Sequence, residues 1–118
     1  MRNISFARTP DHVRTRTQTV TRRIGWTFLK VGDLLQPIVK GQGIKQGEHV
    51  ETIGGPIRVV SVRREPLWRR RQYSRDEAAR EGFPQWGFRE FADFYAEVNR
   101  CGLRDKVTRI EFEYTERQ

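Results

Sequence analysis

Residues 18–26 read QTVTRRIGW and residues 28–33 read FLKVGD, and these two stretches decide the fold prediction. Val20–Ile24 has the β-branched residues of a short strand, and Gly25 supplies a turn directly after it. The second stretch ends in a Gly-Asp turn that leads into the apolar run Leu34–Val39. Two short strands separated by turns predict a small sheet in this part of the chain.

Further strands are predicted on both sides of this pair. Runs rich in β-branched and aromatic residues, bounded by glycine or polar segments, fit a pleated, half-buried surface. A Gly-Gly-Pro turn at 54–56 separates two of these runs, whereas the polar stretch 8–19 is interpreted as a loop or a poor helix. The predicted strands are Ile4–Ala7, His49–Ile53, Ile57–Val62 and Val107–Tyr114.

Two helices are predicted in the last third of the chain. Residues 74–77, SRDE, fit a capping box, from which a short helix should run to about Gly82. A second helix is expected from Phe88 to Arg100, because its apolar residues recur on one face, and Gly102 suits a left-handed C-terminal cap. The combined prediction is an α+β domain with a small mixed or barrel-like sheet of about five or six strands and two flanking helices.

The composition describes a single basic domain. The chain has 118 residues, which suits one hydrophobic core, and its 23 Lys and Arg residues outnumber its 15 Asp and Glu residues. Residues 1–75 carry a net charge of +11 and residues 76–118 one of −3. Most of the basic residues are arginine, whose guanidinium binds phosphate through two hydrogen bonds and stacks on bases. This surplus favours a polyanionic partner, most simply nucleic acid, over a merely soluble basic protein.

Several classes of protein and site are excluded by the same composition. No run approaches the roughly 20 apolar residues that a membrane helix needs, and the N-terminal residues lack an apolar signal segment. Cys101 is the one cysteine, and His12 and His49 are the two histidines, too few for a disulfide or a structural zinc site. We therefore expect a cytoplasmic protein without a metal, a cofactor or a membrane association, and we favour a monomer.

Two arginine clusters are candidates for binding nucleic acid. Residues 14–23 combine four arginines with four threonines, whose donors suit phosphate and hydroxyl groups. Residues 63–73 interleave arginines with Trp68 and Tyr73, and such rings stack on the bases of single strands. The alternatives are a solvated loop for the first cluster and, for the second, a charged loop whose Trp68 packs on the core. The candidate nucleic-acid-binding residues are Arg16, Arg22, Lys45, Arg63, Arg64, Trp68, Arg69, Arg70 and Arg71.

Four motifs, taken in order, resemble those of the ASCH family, a branch of the PUA-like superfold. They are residues 18–33, VSVRREPL at 60–67, EGFP at 81–84 and VTRIEF at 107–112, and the resemblance spans residues 4–114. The chain looks like the phage and bacterial type, in which a Thr/Arg stretch precedes a Lys-x-Gly-Asp turn into a barrel strand. The resemblance implies one ASCH domain over residues 1–118, with a PUA-like mixed β-barrel.

The family's signature has the form Gly-x-Lys-x-x-Thr-x-Arg, and its fixed positions fall on Arg16, Gln18, Thr21 and Arg23. Thr21 and Arg23 match it, whereas Arg16 replaces the glycine and Gln18 replaces the lysine. Glu81 lies where the family carries a glutamate that faces the same cleft. Some members similar to this chain deacetylate acetylcytidine with a Lys–Thr–Glu set, and others have been associated with RNA binding or RNA cleavage.

The resemblance implies a cleft lined by Gln18, Thr21, Arg23 and Glu81, with Trp26 as a wall. A glutamine amide is neither nucleophilic nor basic, but it can hydrogen-bond the edge of a base. The first expectation is therefore a nucleic-acid-binding domain that recognises RNA or a modified base or nucleoside. The alternative is a small metal-independent hydrolase, acting on 4-acetylcytidine or on RNA, with Thr21 and Glu81 as its catalytic residues.

Overall fold

The computed structural model describes residues 1–40, 50–70, 73–74 and 76–115. Five strands and three helices occur in them, which confirms the predicted α+β class. The additional helix begins at Pro10, in the polar segment interpreted as a loop or a poor helix, and proline suits a first helical turn because it has no N–H to satisfy. The elements in chain order are β1 (Arg2–Ser5), α1 (Pro10–Arg14), β2 (Val20–Arg23), β3 (Leu34–Ile38), β4 (Ile57–Pro66), α2 (Asp76–Arg80), α3 (Phe88–Asn99) and β5 (Lys106–Tyr114).

The five strands form one mixed sheet in the order β1-β3-β4-β5-β2. β1 and β3 run parallel, and the other neighbouring strands are antiparallel. β4 and β5 form the longest ladder, and its register shifts between Val59 and Ser61. Because a bulge of this kind bends a strand and increases its twist, the ladder curls the sheet toward a barrel.

The curled sheet separates two hydrophobic cores. Successive residues of a strand point to opposite faces, so Ile110 and Phe112 of β5 enter the core inside the curl, whereas Val107 faces the helices. On the outer face, Ala78 of α2 and Phe91 of α3 are buried in the same cluster as Val107. The apolar face predicted for the second helix therefore packs against the outside of the sheet.

β1 and β2 are the two edges of the sheet, and they approach each other along a gap that we call the seam. Arg23 Nη2 donates a 2.6 Å hydrogen bond across the seam to the carbonyl oxygen of Ser5. The end of α2 also reaches β2, because the backbone N–H of Thr19 donates to the carbonyl oxygen of Arg80. These contacts satisfy groups that a neighbouring strand would otherwise bind.

The strand predicted over His49–Ile53 is wrong for the residues that the structure describes. There, Thr52 forms a single bridge with Ile38, and two backbone hydrogen bonds join residues 51 and 53 to the end of β3. His49 lies outside the described residues. The apolar alternation of this run therefore supports one contact with β3 rather than a full ladder.

Two predicted helix ends also differ from the structure. Glu77 does not cap α2 with its side chain, because its carboxylate binds two arginines on β2 and β5. At the end of α3, Arg100 rather than Gly102 takes the left-handed conformation, with φ of 53°. The backbone N–H of Gly102 instead donates to the Asp105 carboxylate at 2.7 Å. In the described part of the chain, no helix is long and apolar enough to cross a membrane.

Candidate functional site

A cavity of about 280 Å³, the seam cavity, lies along the seam. Its walls come from the segment after β1, from β2, from the turn after α2 and from one face of α3. Gln18, Thr21, Arg23 and Glu81 all line it, so the four residues expected in one cleft do converge.

Glu81 reaches the seam cavity because α2 ends one residue before it and Gly82 then turns the chain. Gly82 has φ of +94°, a left-handed conformation that glycine adopts easily. A Cβ at this position would lie 2.8 Å from Thr9 Cγ2 and 3.0 Å from Gln18 Oε1. The backbone after α2 therefore packs directly against the cavity wall, and a larger residue would force that wall to move.

Arg22 binds both oxygens of the buried Glu81 carboxylate. Oε1 accepts the backbone N–H of Arg22 at 3.2 Å, and Oε2 accepts its Nη1–H at 2.7 Å. Burial outweighs the attraction of Arg22 and raises the pKa of Glu81 to about 7, with a further contribution from Glu77. A carboxyl group of this kind can hold or release a proton at neutral pH.

Arg22 is not the exposed phosphate ligand that the sequence suggested. Its side chain is 0% exposed and forms 2.7 Å ion pairs with Glu77 and Glu81. The rings of Tyr73 and Phe88 lie 4.9 Å and 4.7 Å from the guanidinium carbon. Because residues alternate along β2, Arg22 points toward the helices and orients Glu81 instead of a ligand.

Thr21 and Arg23 bind each other on the edge strand. Arg23 Nε donates to Thr21 Oγ1 at 3.0 Å, while its Nη2 donates to Ser5 across the seam. Burial lowers the pKa of Arg23, but a guanidinium stays charged at neutral pH. Among the described residues Arg23 forms no ion pair, so it brings a positive charge to the seam cavity without a bound carboxylate.

Gln18 uses its amide within the protein. Its Oε1 accepts a 2.6 Å hydrogen bond from Thr9 Oγ1, and its Nε2 donates to the carbonyl oxygen of Val20 at 3.0 Å. The residue is 2% exposed. The base contact expected of Gln18 is therefore replaced by contacts that hold the segment after β1 against β2.

Aromatic side chains that sequence analysis did not assign to the site form much of the wall. Phe6 and Phe83 line the seam cavity together with Phe91, Phe94 and Tyr95 of α3. The ring of Phe83 lies 5.6 Å from that of Phe91 and 5.5 Å from that of Phe94. Burial raises the pKa of Tyr95, so its hydroxyl remains a donor at neutral pH. Helical periodicity identifies the apolar face of α3, but it does not separate residues that line a cavity from residues that fill a core.

The segment after β1 supplies two polar groups that sequence analysis also missed. Thr9 is buried against Gln18, and Arg8 is exposed, with its guanidinium carbon 5.4 Å from the ring centroid of Phe94. The polar composition of residues 8–19 indicated a loop or a poor helix. No local pattern in that segment shows that it faces β2.

Trp26 is not a wall of the seam cavity, contrary to the expectation. It is absent from the cavity wall, and its ring centroid lies 6.0 Å from the guanidinium carbon of Arg23. Trp26 is half-buried and packs against the inner core. It is therefore a neighbour of Arg23 rather than a residue of the cavity wall.

The other candidate nucleic-acid-binding residues lie on several different surfaces. Arg64 donates to Thr108 at 3.1 Å, whereas Arg63 lies on the opposite face of β4 and donates to Tyr73 at 2.8 Å. The guanidinium carbon of Arg89 lies 4.6 Å from the ring centroid of half-buried Trp68. Arg16 lies near Tyr114, Arg69 and Arg70 are exposed, and Lys45 and Arg71 lie outside the described residues.

The seam cavity thus combines aromatic faces, a guanidinium, a hydroxyl and a carboxyl group that titrates near neutrality. Such a set can bind a planar ligand on its faces and both donate to and accept from its edge. Within the described ranges, no three His, Cys, Asp or Glu side chains are grouped so that they could hold a metal ion.

Comparison with known proteins bears on the fold. No family model and no curated protein matches the chain. The chain is similar to the crystal structure of protein EF3133 from Enterococcus faecalis, described with the family name DUF984, with a TM-score of 0.58. The match has 19% sequence identity and covers 92% of this chain and 73% of that chain. At this identity the likeness shows a shared fold.

Proposed function

We propose that this protein binds nucleic acid and takes one base or nucleoside into the seam cavity. The supporting observation is that aromatic walls and three polar side chains, Thr21, Arg23 and Glu81, meet in one cavity. Aromatic rings bind the faces of a planar base, and polar groups bind its edge. The resemblance to the ASCH family adds RNA or a modified nucleoside as the partner.

The volume of the seam cavity favours one nucleoside over a length of strand. Its value of about 280 Å³ lies near the lower limit of the roughly 300–1,000 Å³ that is usual for ligand pockets. A single heterocycle with part of its sugar fits this range, so the rest of a bound strand would lie outside the cavity.

Arg23 and Glu81 offer complementary hydrogen-bonding groups to such a ligand. A guanidinium only donates, whereas a carboxyl group donates when protonated and accepts when ionised. The pKa of Glu81, about 7, makes both forms accessible at neutral pH. A base edge that carries a donor next to an acceptor therefore matches this pair, and the hydroxyl of Thr21 adds a third contact.

The Thr21→Val variant tests the binding proposal. It removes the hydroxyl at nearly constant volume, and the loss of one hydrogen bond should weaken nucleoside binding about tenfold. The measurement is calorimetric titration with the four common ribonucleosides and with 4-acetylcytidine.

The matched control is Thr52→Val, at an exposed threonine outside the seam cavity. It should bind nucleosides as the wild type does. Equal losses in the two valine variants, or no binding of any nucleoside by the wild-type protein at millimolar concentration, would contradict the proposal.

A small hydrolase is the second candidate, and the pKa of Glu81 is the observation that favours it. A carboxyl group titrating near pH 7 suits a general base, and the Thr21 hydroxyl beside Arg23 is the candidate nucleophile. Among the described residues, however, no lysine lines the seam cavity, and Gln18 stands where the family resemblance would place one. This candidate lacks the amine of the family's set and therefore ranks second.

Incubation with 4-acetylcytidine and with unstructured RNA separates the two candidates. Turnover by the wild type that both Thr21→Ala and Glu81→Gln abolish, while Thr52→Ala retains it, would make the hydrolase the preferred function. Chromatography of the products measures this. Binding without turnover would support the non-catalytic proposal.

A further inference from the structure

An exposed aromatic pair lies at the end of the seam, beyond the seam cavity. Trp26 and Phe28 follow β2, and their ring centroids are 5.4 Å apart. Phe28 is 49% exposed, and Trp26 is half-buried. A ring that leaves half its surface in water offers a face on which a planar group can stack.

Arg23 connects this pair to the seam cavity. Its guanidinium carbon lies 5.1 Å from the ring centroid of Phe6, in the cavity wall, and 6.0 Å from that of Trp26. Ile24, which lies between Arg23 and Trp26 in the sequence, lines the cavity and is 52% exposed. Arg23 therefore lies next to a ring of the cavity wall on one side and next to a ring of the aromatic pair on the other.

Two arginines accompany the aromatic pair. The guanidinium carbon of Arg2 lies 4.3 Å from the ring centroid of Phe28. Arg64 donates to the Thr108 hydroxyl, which in turn donates to the carbonyl oxygen of Gly25, just before Trp26. Among the described residues neither Arg2 nor Arg64 forms an ion pair, so both charges remain available to an anion.

The backbone at Trp26 is held in an uncommon conformation. Trp26 has φ of 55° and follows Gly25, which has φ of 77°. The left-handed region is unfavourable for a bulky residue, because its Cβ lies too close to the following carbonyl oxygen. Two consecutive residues in this region turn the chain sharply after β2 and place the indole beside Phe28, and residues held in such conformations occur disproportionately at binding sites.

We propose that the surface formed by Arg2, Trp26, Phe28 and Arg64, the seam platform, binds the nucleotides adjoining the one held in the seam cavity. The inference rests on the proposed function and identifies the partner as single-stranded nucleic acid. Bases stack on the aromatic rings and on the guanidinium plane of Arg2, and the arginines bind phosphates. A duplex does not fit, because its bases are already stacked on one another.

The arginine-rich stretch 63–71, of which residues 63–70 are described, is a weaker candidate for binding a single strand. Its aromatic ring, that of Trp68, is half-buried in the outer core and does not line the seam cavity. The guanidinium carbon of Arg89 lies 4.6 Å from the ring centroid of Trp68, close to the 4.3 Å between Arg2 and Phe28, and neither Arg89 nor Trp68 lines the seam cavity. This makes Arg89 a matched control for Arg2.

The test measures oligonucleotide and nucleoside binding in the same variants. Fluorescence anisotropy with labelled single strands of about eight nucleotides, as RNA and as DNA, reports strand binding. Phe28→Leu should weaken strand binding about 5- to 100-fold, the effect of losing the stacking of one base. It should leave nucleoside affinity unchanged, because Phe28 does not line the seam cavity.

Arg2→Gln should reduce the slope of affinity against salt concentration by about one, since one phosphate contact is lost. Arg89→Gln should change neither the slope nor the affinity. Thermal unfolding of each variant verifies folding, and Arg2→Gln carries the test if Phe28→Leu unfolds. Tighter binding of RNA or of DNA identifies which of the two is the natural strand.

The outcomes distinguish this inference from the proposed function. If nucleosides bind but Phe28→Leu and Arg2→Gln bind strands as the wild type does, the seam platform is wrong and the cavity proposal stands. Equal effects of Arg2→Gln and Arg89→Gln, or tighter binding of duplex than of single strands, also overturn it. If neither nucleosides nor strands bind, both proposals fail.

Discussion

Glu81 and Glu77 bind the same arginine, Arg22, but their pKa values move in opposite directions. At Glu81 burial dominates and raises the pKa to about 7. Burial also acts on Glu77, but hydrogen bonds from Arg109 and the charge of Arg22 outweigh it and lower the pKa. The two carboxylates therefore contribute to stability in different pH ranges.

The Glu81→Gln variant should change how stability depends on pH. The folded protein holds the Glu81 proton up to about pH 7, whereas an unfolded glutamate loses it near pH 4.5. The wild type therefore loses stability as pH rises between these values, by about 2–3 kcal/mol, and glutamine removes this loss. Urea unfolding at pH 5 and pH 8 should show Glu81→Gln gaining that amount relative to the wild type.

Glu77→Gln provides the comparison of opposite sign. Ionised Glu77 stabilises the fold above the pKa of the unfolded chain, and this contribution disappears as pH falls through the lower pKa of the folded state. The variant should therefore lose more stability at pH 7 than at pH 3. A difference between Glu81→Gln and the wild type that stays constant from pH 5 to pH 8 would show that Glu81 titrates normally.

The role of a single residue was predictable where a sequence motif includes it. It was not predictable where residues distant in the sequence determine its surroundings. Thr21, Arg23 and Glu81 were assigned to one cleft by the family resemblance, and they do converge. Arg22 lies between two of them in sequence but points to the opposite face of β2. The face of β2 that carries Arg22 is covered by α2, which lies more than 50 residues later in the sequence. The local sequence does not show this contact, and Arg22 was therefore predicted to be exposed.

At the scale of elements, the turn after α2 is the most constrained connection of the site. Gly82→Ala should destabilise the fold by about 1–3 kcal/mol, because φ of +94° disfavours alanine and its Cβ would contact Thr9 and Gln18. Urea unfolding measures the loss. Thr9→Ser in the same chain removes Thr9 Cγ2, the nearest atom, and should restore part of it.

Gly32→Ala separates the two causes of that destabilisation. Gly32 has φ of +97°, but a Cβ there would have no atom within 4 Å. Gly32→Ala should therefore lose only the stability that the unfavourable backbone conformation costs. Gly82→Ala should lose more, because its Cβ also contacts Thr9 and Gln18. Equal losses in the two variants would mean that the cavity wall yields freely to an added methyl group.

Strands and helices were predicted well where the local sequence carries a clear signal and poorly where it does not. The strands after Gln18 and Pro56 carry β-branched residues next to a glycine turn, and α3 carries an apolar period of 3.6 residues, so each was found within one local window. β4 extends further, to Pro66, because pairing with β5 continues through its charged residues. The contact of Thr52 with Ile38 involves a partner outside any local window, and the full strand predicted there was wrong.

At the scale of the whole molecule, the fold redistributes the charge that the sequence shows. Glu77 and Glu81, from the acidic last third, bind Arg22 from the basic part of the chain inside the protein. Arg109 joins the same buried cluster through Glu77. Composition could not show which arginines form internal ion pairs and which face water.

The hydrogen bond from Arg23 to Ser5 joins the two sheet edges through a side chain, and this has a consequence for how the molecule opens. Adjacent strands in a ladder are fixed about 4.8 Å apart, whereas a guanidinium on a flexible stem tolerates a range of separations. In the described part of the chain β1 and β2 do not pair with each other, so a separation of these two edges would break side-chain hydrogen bonds rather than a strand ladder. A ligand that accepts the same Nη2–H as Ser5 would replace this bond, and its binding would then favour a wider separation of the two edges.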